Sequence, residues 1–427
     1  MSQIIWYGAG KNLRDHEKEF VAETGYPVCI CDASEQKQGT KYIFAGERER
    51  DVVSLSHIEE KYPDYELWLT LADHNLAECY QFLLDIGIQK DRIHFFGKKS
   101  YRYGCRMMNN FSYISSDNVK TCAHFPYTKT FEFNHQVISE DDIKEAIQRM
   151  ENWRIDTIRA LKKGEKTSCE GCSALQLGFY EDEPQITFLG VGPNFAGGTR
   201  CNCDCFYCNQ KNIINKGSEQ HLSNYDVHKI ASSIYPDLQE ICLADGEPSI
   251  LPHIEELCDL INEKGWSVWF NTNAIVYSEK IAETMARNPN TFVAVALDAS
   301  SPETYKKIKH VDTFERVIDN IRKYKEKGNR VFLKYILIPG YNDSVDEMNG
   351  FIRIAKDIGA DRITLSQNLS GFYDGVSHNL DPDMPEEIFA NFAYMVARIQ
   401  EEGFPWDFQI EFISANDYER IENLRKI

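Results

Sequence analysis

A chain of 427 residues with 42% apolar side chains and a net charge of −19 is long enough for two or three domains and apolar enough to give each a core. The acidic balance, with no block of Lys and Arg, argues against nucleic acid and anionic membranes as partners and leaves small molecules or basic peptides as substrates. An apolar run of about 18 residues and a basic-then-apolar start are both missing, so neither a span nor a leader is expected, and the 13 cysteines read as reduced thiols and metal ligands of a cytoplasmic protein.

Residues 1–98 alternate short apolar strands, at 4–7, 27–31, 67–71 and 93–96, with helices. This alternation predicts a parallel, Rossmann-like sheet. Gly8-Ala9-Gly10 turns the first strand into a helix over 11–24, and Asp32 ends the second strand, where a dinucleotide fold places a carboxylate on ribose hydroxyls. Leu13 occupies the third glycine position. Two readings stand: a nucleotide or nucleotide-sugar site, or a tight strand-to-helix turn in a docking domain. Cys29, Cys31 and Cys79 lie on apolar faces and are expected in the core.

Residues 99–180 hold a second cysteine group, Cys105, Cys122 and the C-x2-C turn Cys169-Glu-Gly-Cys172. A helix starting near Ser139 and ended by Gly164 separates the last pair from the others. Four thiolates close the coordination of a [4Fe–4S] cubane or of a zinc ion. His124, beside Cys122, is an alternative ligand, and four unligated thiols are the third reading.

The densest cluster follows. After a strand at 186–189, a Gly-rich loop carries Cys201, Cys205 and Cys208 at C-x3-C-x2-C. Three thiolates hold three irons of a [4Fe–4S] cubane and leave the fourth to an outside ligand, which suits chemistry better than electron storage. A zinc site or a disulfide is the rival reading. Cys203 lies inside the loop but outside the spacing. Further strands at 238–243, 267–270, 291–297, 331–337 and 362–365 alternate with amphipathic helices; one of these carries Ile254, Leu257, Cys258 and Ile261 at helical spacing. Six such parallel strands make a partial (β/α)6 barrel with function at the C-terminal strand ends. Those ends carry Asp245-Gly246-Glu247-Pro248, Asn271-Thr272-Asn273, Asp298, Pro339-Gly340-Tyr341-Asn342-Asp343 and Gln367-Asn368, and the fifth strand carries Lys334. Cys242 and Cys258 are expected in the core. The tail predicts a helix over 385–402 and an edge strand over 408–412, with Tyr373, Asp374 and His378 on the loop before them.

At these residues the chain resembles the radical S-adenosylmethionine (radical SAM) superfamily, whose signature C-x3-C-x-aromatic-C is met by Cys201, Cys205, Tyr207 and Cys208. The resemblance implies that SAM binds the open iron. An electron from a flavodoxin or ferredoxin then splits it, and a 5′-deoxyadenosyl radical abstracts hydrogen from the substrate. It implies SAM contacts from Tyr207, from Asp245, Gly246, Glu247 and Pro248 (the family's Gly-Gly-Glu-Pro), from Asn271 and Asn273, from Asp298 and from Lys334. Cys105, Cys122, Cys169 and Cys172 resemble a SPASM-type auxiliary cluster segment, here placed before the barrel instead of after it.

The expectation is therefore an α/β chain. A Rossmann-like domain (1–98) and a SPASM-like segment (99–180) precede a TIM-like partial barrel (181–370), and a covering extension (371–427) follows. The expected activity is that of a radical SAM oxidoreductase acting on a sugar, alcohol or nucleotide-linked small molecule by net dehydrogenation. The alternatives are peptide modification, an epimerisation with Cys203 or Tyr373 as hydrogen donor, and a non-catalytic Fe–S or zinc scaffold.

Overall fold

The computed structural model describes the chain except residues 1–2, 47, 98, 123–126, 173, 209, 245, 369–382, 410–412 and 426–427, and the side chains of 73, 74 and 415. Expectations for His124, Asp245, Tyr373, Asp374 and His378, and for most of the edge strand over 408–412, lie outside the described residues. The chain divides into two compact units. The smaller comprises 1–105, 158–166 and 176–184, and the larger 106–157, 167–175 and 185–427. The sequence-level boundary at 99–180 differs from this division. That stretch is shared between the two units, because a strand at each of its ends pairs within the smaller one.

In the smaller unit, β1 (Gln3–Tyr7), β2 (Cys29–Cys31), β3 (Lys41–Ile43), β4 (Glu49–Val53), β5 (Tyr65–Leu69) and β6 (Ile93–Phe95) form a sheet in the order β3-β4-β2-β1-β5-β6. All neighbours are parallel except β3 and β4. Successive side chains of a strand face opposite sides. Ile5, Tyr7, Cys29 and Cys31 therefore join one core, and Trp6 and Ile30 the other. The helix expected over 11–24 breaks at His16 into Lys11–Asp15 and Glu17–Thr24. Leu13, fully buried, packs where a dinucleotide fold keeps a glycine. A separate two-stranded sheet pairs β7 (Lys99–Gly104) antiparallel with β11 (Gln176–Glu181).

The larger unit is one ten-stranded sheet. It joins β8 (Phe111–Ile114), β9 (Asn118–Lys120), β10 (Thr130–Glu132), β12 (Phe188–Val191), β13 (Glu240–Leu243), β14 (Ser267–Thr272), β15 (Phe292–Ala296), β16 (Arg330–Leu337), β17 (Arg362–Gln367) and β18 (Trp406–Phe408). The order is β10-β9-β8-β12-β13-β14-β15-β16-β17-β18. The six strands β12 to β17 run parallel in sequence order, as a partial barrel requires, and β8 and β18 extend them in parallel at either side. Val293 and Val295 of β15 face the surrounding helices and are fully buried, whereas Phe292, Ala294 and Ala296 face the lumen. The helix Ile254–Lys264 buries Leu257, Cys258 and Ile261 as its spacing predicts. No helix among the described residues is long and apolar enough to cross a membrane.

The helix Glu140–Lys162 is tied to the start of β8 by a buried cation. Arg154 is fully buried. Its guanidinium donates to the carbonyls of Met107 (3.2 Å), Met108 (2.7 Å) and Phe111 (2.9 Å) and pairs with Glu151 at 2.9 Å. Substituting Arg154→Met strips three buried carbonyls of their donor and is expected to cost about 3–5 kcal/mol of unfolding free energy. Urea titration followed by far-UV circular dichroism checks this; a loss under about 1 kcal/mol, the range of an exposed pair, contradicts it.

Candidate functional site

The cysteine loop leaves β12 and returns past the ends of β13 and β14. Two close approaches fix its path. Gly198 has φ +70°, and a Cβ there would stand 2.3 Å from the Lys216 carbonyl oxygen. Gly246 has φ +79°, and a Cβ there would meet the Arg200 carbonyl oxygen at 2.6 Å. Only glycine serves at such points. The amide of Glu247 donates to the same Arg200 carbonyl at 2.7 Å, joining the end of β13 directly to the loop. Asn215, at φ +58°, brackets Cys201: its Oδ1 accepts the Cys201 N–H at 3.2 Å and its Nδ2 donates to the Cys201 carbonyl at 2.8 Å.

Cys201, Cys205 and Cys208 all line one cavity of about 680 Å³, with Cys203, Tyr207, Gly246, Asn271, Thr272 and Asn273 beside them. Cys203 is buried between its neighbours. Its thiol hydrogen-bonds Cys201 and Cys205 and pulls both below the ordinary thiol range, Cys205 down to about 6, with the Lys309 charge acting in the same direction on Cys205. Burial pushes the Cys208 thiol up, while the Gln210 N–H reaches its sulfur at 3.4 Å. Among the described residues no three His, Cys, Asp or Glu groups converge tightly enough for a single ion. A cubane is wider than an ion and its thiolates stand around it. Three thiols lining one cavity, two of them biased toward thiolate, suit that donor set.

The strand-end residues divide into two groups. Gly246, Asn271, Asn273 and Lys334 line the cavity with Tyr207. The Asn273 amide donates to Asn202 Oδ1 at 2.7 Å and reaches the Cys201 sulfur at 3.7 Å. Asn271 donates to the Cys242 sulfur at 3.4 Å. Cys242 thus faces the lumen instead of the core, because it alternates with the helix-facing Ile241 and Leu243. Lys334 donates to Gln409 Oε1 at 2.5 Å.

Glu247, Pro248 and Asp298 are buried behind this lining. Glu247 accepts from the Ser249 amide (3.1 Å), the Ser249 hydroxyl (2.7 Å), the Thr272 hydroxyl (2.6 Å) and the Asn273 amide (2.7 Å); burial raises its pKa against these donors. Its carboxylate clips the ends of β13 and β14 together. Asp298, expected at SAM, is fully buried. Its Oδ1 accepts the Ile336 amide at 2.7 Å, and its Oδ2 accepts from Lys309 at 2.5 Å and from the Tyr207 hydroxyl at 2.7 Å. Both oxygens serve protein donors. No local signal marks Lys309 or Asn215, whose partners Tyr207 and Cys201 lie 102 and 14 residues away. Asn342 is fully buried and donates to the carbonyls of Asp298 and Ile336 at 2.8 Å each.

A family model described as the radical SAM superfamily matches residues 197–352. Residues 197–352 are a radical SAM domain. Radical SAM proteins use SAM and a [4Fe–4S] cluster, and the matched stretch holds the three-thiol loop together with the ends of β13 to β16. A protein named probable GTP 3′,8-cyclase from Methanocaldococcus jannaschii is 27% identical over 185 residues, which is 42% of this chain and 61% of that one. Its namesake from Methanothermobacter thermautotrophicus is 29% identical over 228 residues, 52% of this chain and 72% of that one. The chain spans 53–63% of the length of the first curated relatives it matches. Among solved structures, Streptococcus suis SuiB bound to its precursor peptide SuiA superposes at TM-score 0.44 with 12% identity, over 63% of this chain and 54% of that one.

Outside the matched stretch, Asp32 does not face outward to a ribose. Its Oδ2 accepts from the Ala9 amide (2.7 Å) and Lys37 (3.0 Å), and its Oδ1 from the Ser34 amide (2.9 Å). It closes the glycine turn on itself. In the larger unit, the Cys169–Cys172 turn is closed by the Cys172 amide on the Cys169 carbonyl at 3.0 Å. The Tyr127 hydroxyl donates to the Gly171 carbonyl at 3.0 Å and the Thr128 hydroxyl to the Cys122 carbonyl at 2.8 Å. Cys122 and the turn therefore share a short linking segment. Cys105 is the last residue of the first stretch of the smaller unit.

Replacing Gly246 with alanine forces a side chain into a left-handed position against a backbone oxygen, a strain of about 1–3 kcal/mol. SAM affinity of the reconstituted protein is expected to fall about tenfold, a change of about 1.4 kcal/mol, measured by calorimetry. The control Gly217→Ala, in open space, is expected to leave affinity unchanged.

Proposed function

We propose that this radical SAM enzyme binds SAM at the mouth of the barrel and abstracts hydrogen from a small-molecule substrate held in the lumen. The observation that carries the reading is the single cavity, which continues from the three thiols down to Trp269, Phe292, Phe332 and Lys334. When bound, a [4Fe–4S] cluster with SAM at its open iron supplies reductive cleavage of the sulfonium, and through it hydrogen abstraction by the 5′-deoxyadenosyl radical.

The chain's own residues supply the rest. Cys201, Cys205 and Cys208 hold the cluster. The backbone at Gly246, the amides of Asn271 and Asn273 and the Tyr207 ring orient SAM. The lumen's aromatic rings exclude water and offer faces on which a planar ring stacks, and Lys334 brings a positive charge to the same space. That combination favours a substrate with a ring and an anionic group, and the named relatives make GTP the first nucleotide to test. The proposed outcome remains a net loss of hydrogen from a nucleotide-linked, sugar or alcohol substrate, with rearrangement to a cyclic product as the second reading. A further cluster on Cys122, Cys169 and Cys172 of the larger unit is part of the proposal. A flavodoxin or ferredoxin is the proposed reductant.

Anaerobic reconstitution tests this. Roughly eight irons per chain are expected from two cubanes, falling to roughly four when Cys169 and Cys172 are changed to serine. Reduction with SAM present is expected to release 5′-deoxyadenosine, and Cys205→Ser is expected to abolish it. Iron-loaded protein that releases none sinks the proposal. In heavy water, deuterium entering the product separates a redox-neutral outcome from hydrogen loss.

A further inference from the structure

Behind the cysteine loop lies a buried cation. The helix Pro302–Lys309 points its C-terminal end at the loop. Its last carbonyls lack partners within the helix; those of Ile308 and Lys309 accept the amides of Phe206 and Asp204 at 3.2 Å each. From the same helix end the Lys309 side chain, only 2% exposed, reaches Asp298 at 2.5 Å and the Tyr207 hydroxyl at 2.6 Å. Lys309 thus holds the loop on both sides of Cys205, Asp204 through its carbonyl and Tyr207 through its ammonium. Burial alone lowers a lysine pKa, yet Asp298 and the Cys205 thiolate outweigh it and the net direction is up, so the ammonium stays charged.

We propose that Lys309 is a positioning residue that sets the reduction potential of the loop's cluster, with Asp298 as its opposing partner. The inference rests on the radical SAM reading. A thiolate-ligated cluster gains one negative charge on reduction, and its potential follows the net charge and hydrogen bonding around it. In a water-poor interior a fixed cation stabilises the reduced form and a fixed anion opposes it. Lys309 and Asp298 therefore pull the potential in opposite directions, although one ion pair joins them. A clamp with only a structural role is damaged alike by the loss of either.

The test compares full-length wild type, Lys309→Met, Asp298→Asn and the double variant, each reconstituted anaerobically. Iron content, thermal midpoint and midpoint potential are read, the last by an EPR-monitored titration without SAM or substrate. Lys309→Met is expected to lower the potential, Asp298→Asn to raise it, and the double variant to fall between them. Shifts in the same direction, or none, in iron-replete protein overturn the inference. If Lys309→Met does not fold, Asp298→Asn decides alone: a rise supports the inference and an unchanged potential overturns it. A wild-type chain that takes up no cluster overturns the radical SAM reading itself.

Discussion

The backbone carbonyl of Arg200 is the point on which the site turns. It accepts the Glu247 amide and leaves room for no side chain at position 246. Through it the cysteine loop and the end of β13 become one piece, and Glu247 extends the join to β14 through Thr272 and Asn273. Three thiols on a flexible loop would repel one another once ionised and scatter. Here backbone approach, Asn215 and the helix end at Lys309 each hold a different part of the loop. Its backbone is thereby anchored to the barrel at several points.

Much of this architecture was legible in the sequence because its signals are local. The C-x3-C-x2-C spacing, the strand periodicity of β12 to β17 and the helix bearing Leu257, Cys258 and Ile261 depend on neighbours a few residues away. What escaped was long-range. Tyr207 meets Asp298 across 91 residues and Lys309 across 102, and nothing near Lys309 distinguishes it from the other lysines of an amphipathic helix. The burial of Asp298, whose backbone is left-handed at φ +56°, was not legible because position at a strand end does not reveal which way a side chain turns. Cys242 was misplaced for the opposite reason. An apolar strand in a barrel has a lumen face as well as a helix face, and composition does not separate them.

The smaller unit teaches a related lesson. Gly8-Ala-Gly10 followed by a strand ending in Asp32 carries part of a nucleotide fingerprint, but the carboxylate is taken up by Ala9, Ser34 and Lys37. A glycine turn and an acidic strand end meet a purely mechanical need as readily as a chemical one. The linked arrangement of Cys122 and the C-x2-C turn is of another kind: Tyr127 and Thr128 hold the backbone around those residues through the carbonyls of Gly171 and Cys122.

The strand order has a practical corollary for anyone who would isolate the catalytic half. The stretch matched by the family spans 197–352, yet the parallel sheet begins with β12 at Phe188, leans on β8 from Phe111, and continues through β17 and β18 to Phe408. A fragment trimmed to the matched stretch would bare the flanks of β13 and β16 and lose the apolar faces that cover them. Such raw edges invite association between copies. The unit of descent and the unit of folding do not share boundaries in this chain, and the shorter one is a poor choice of fragment.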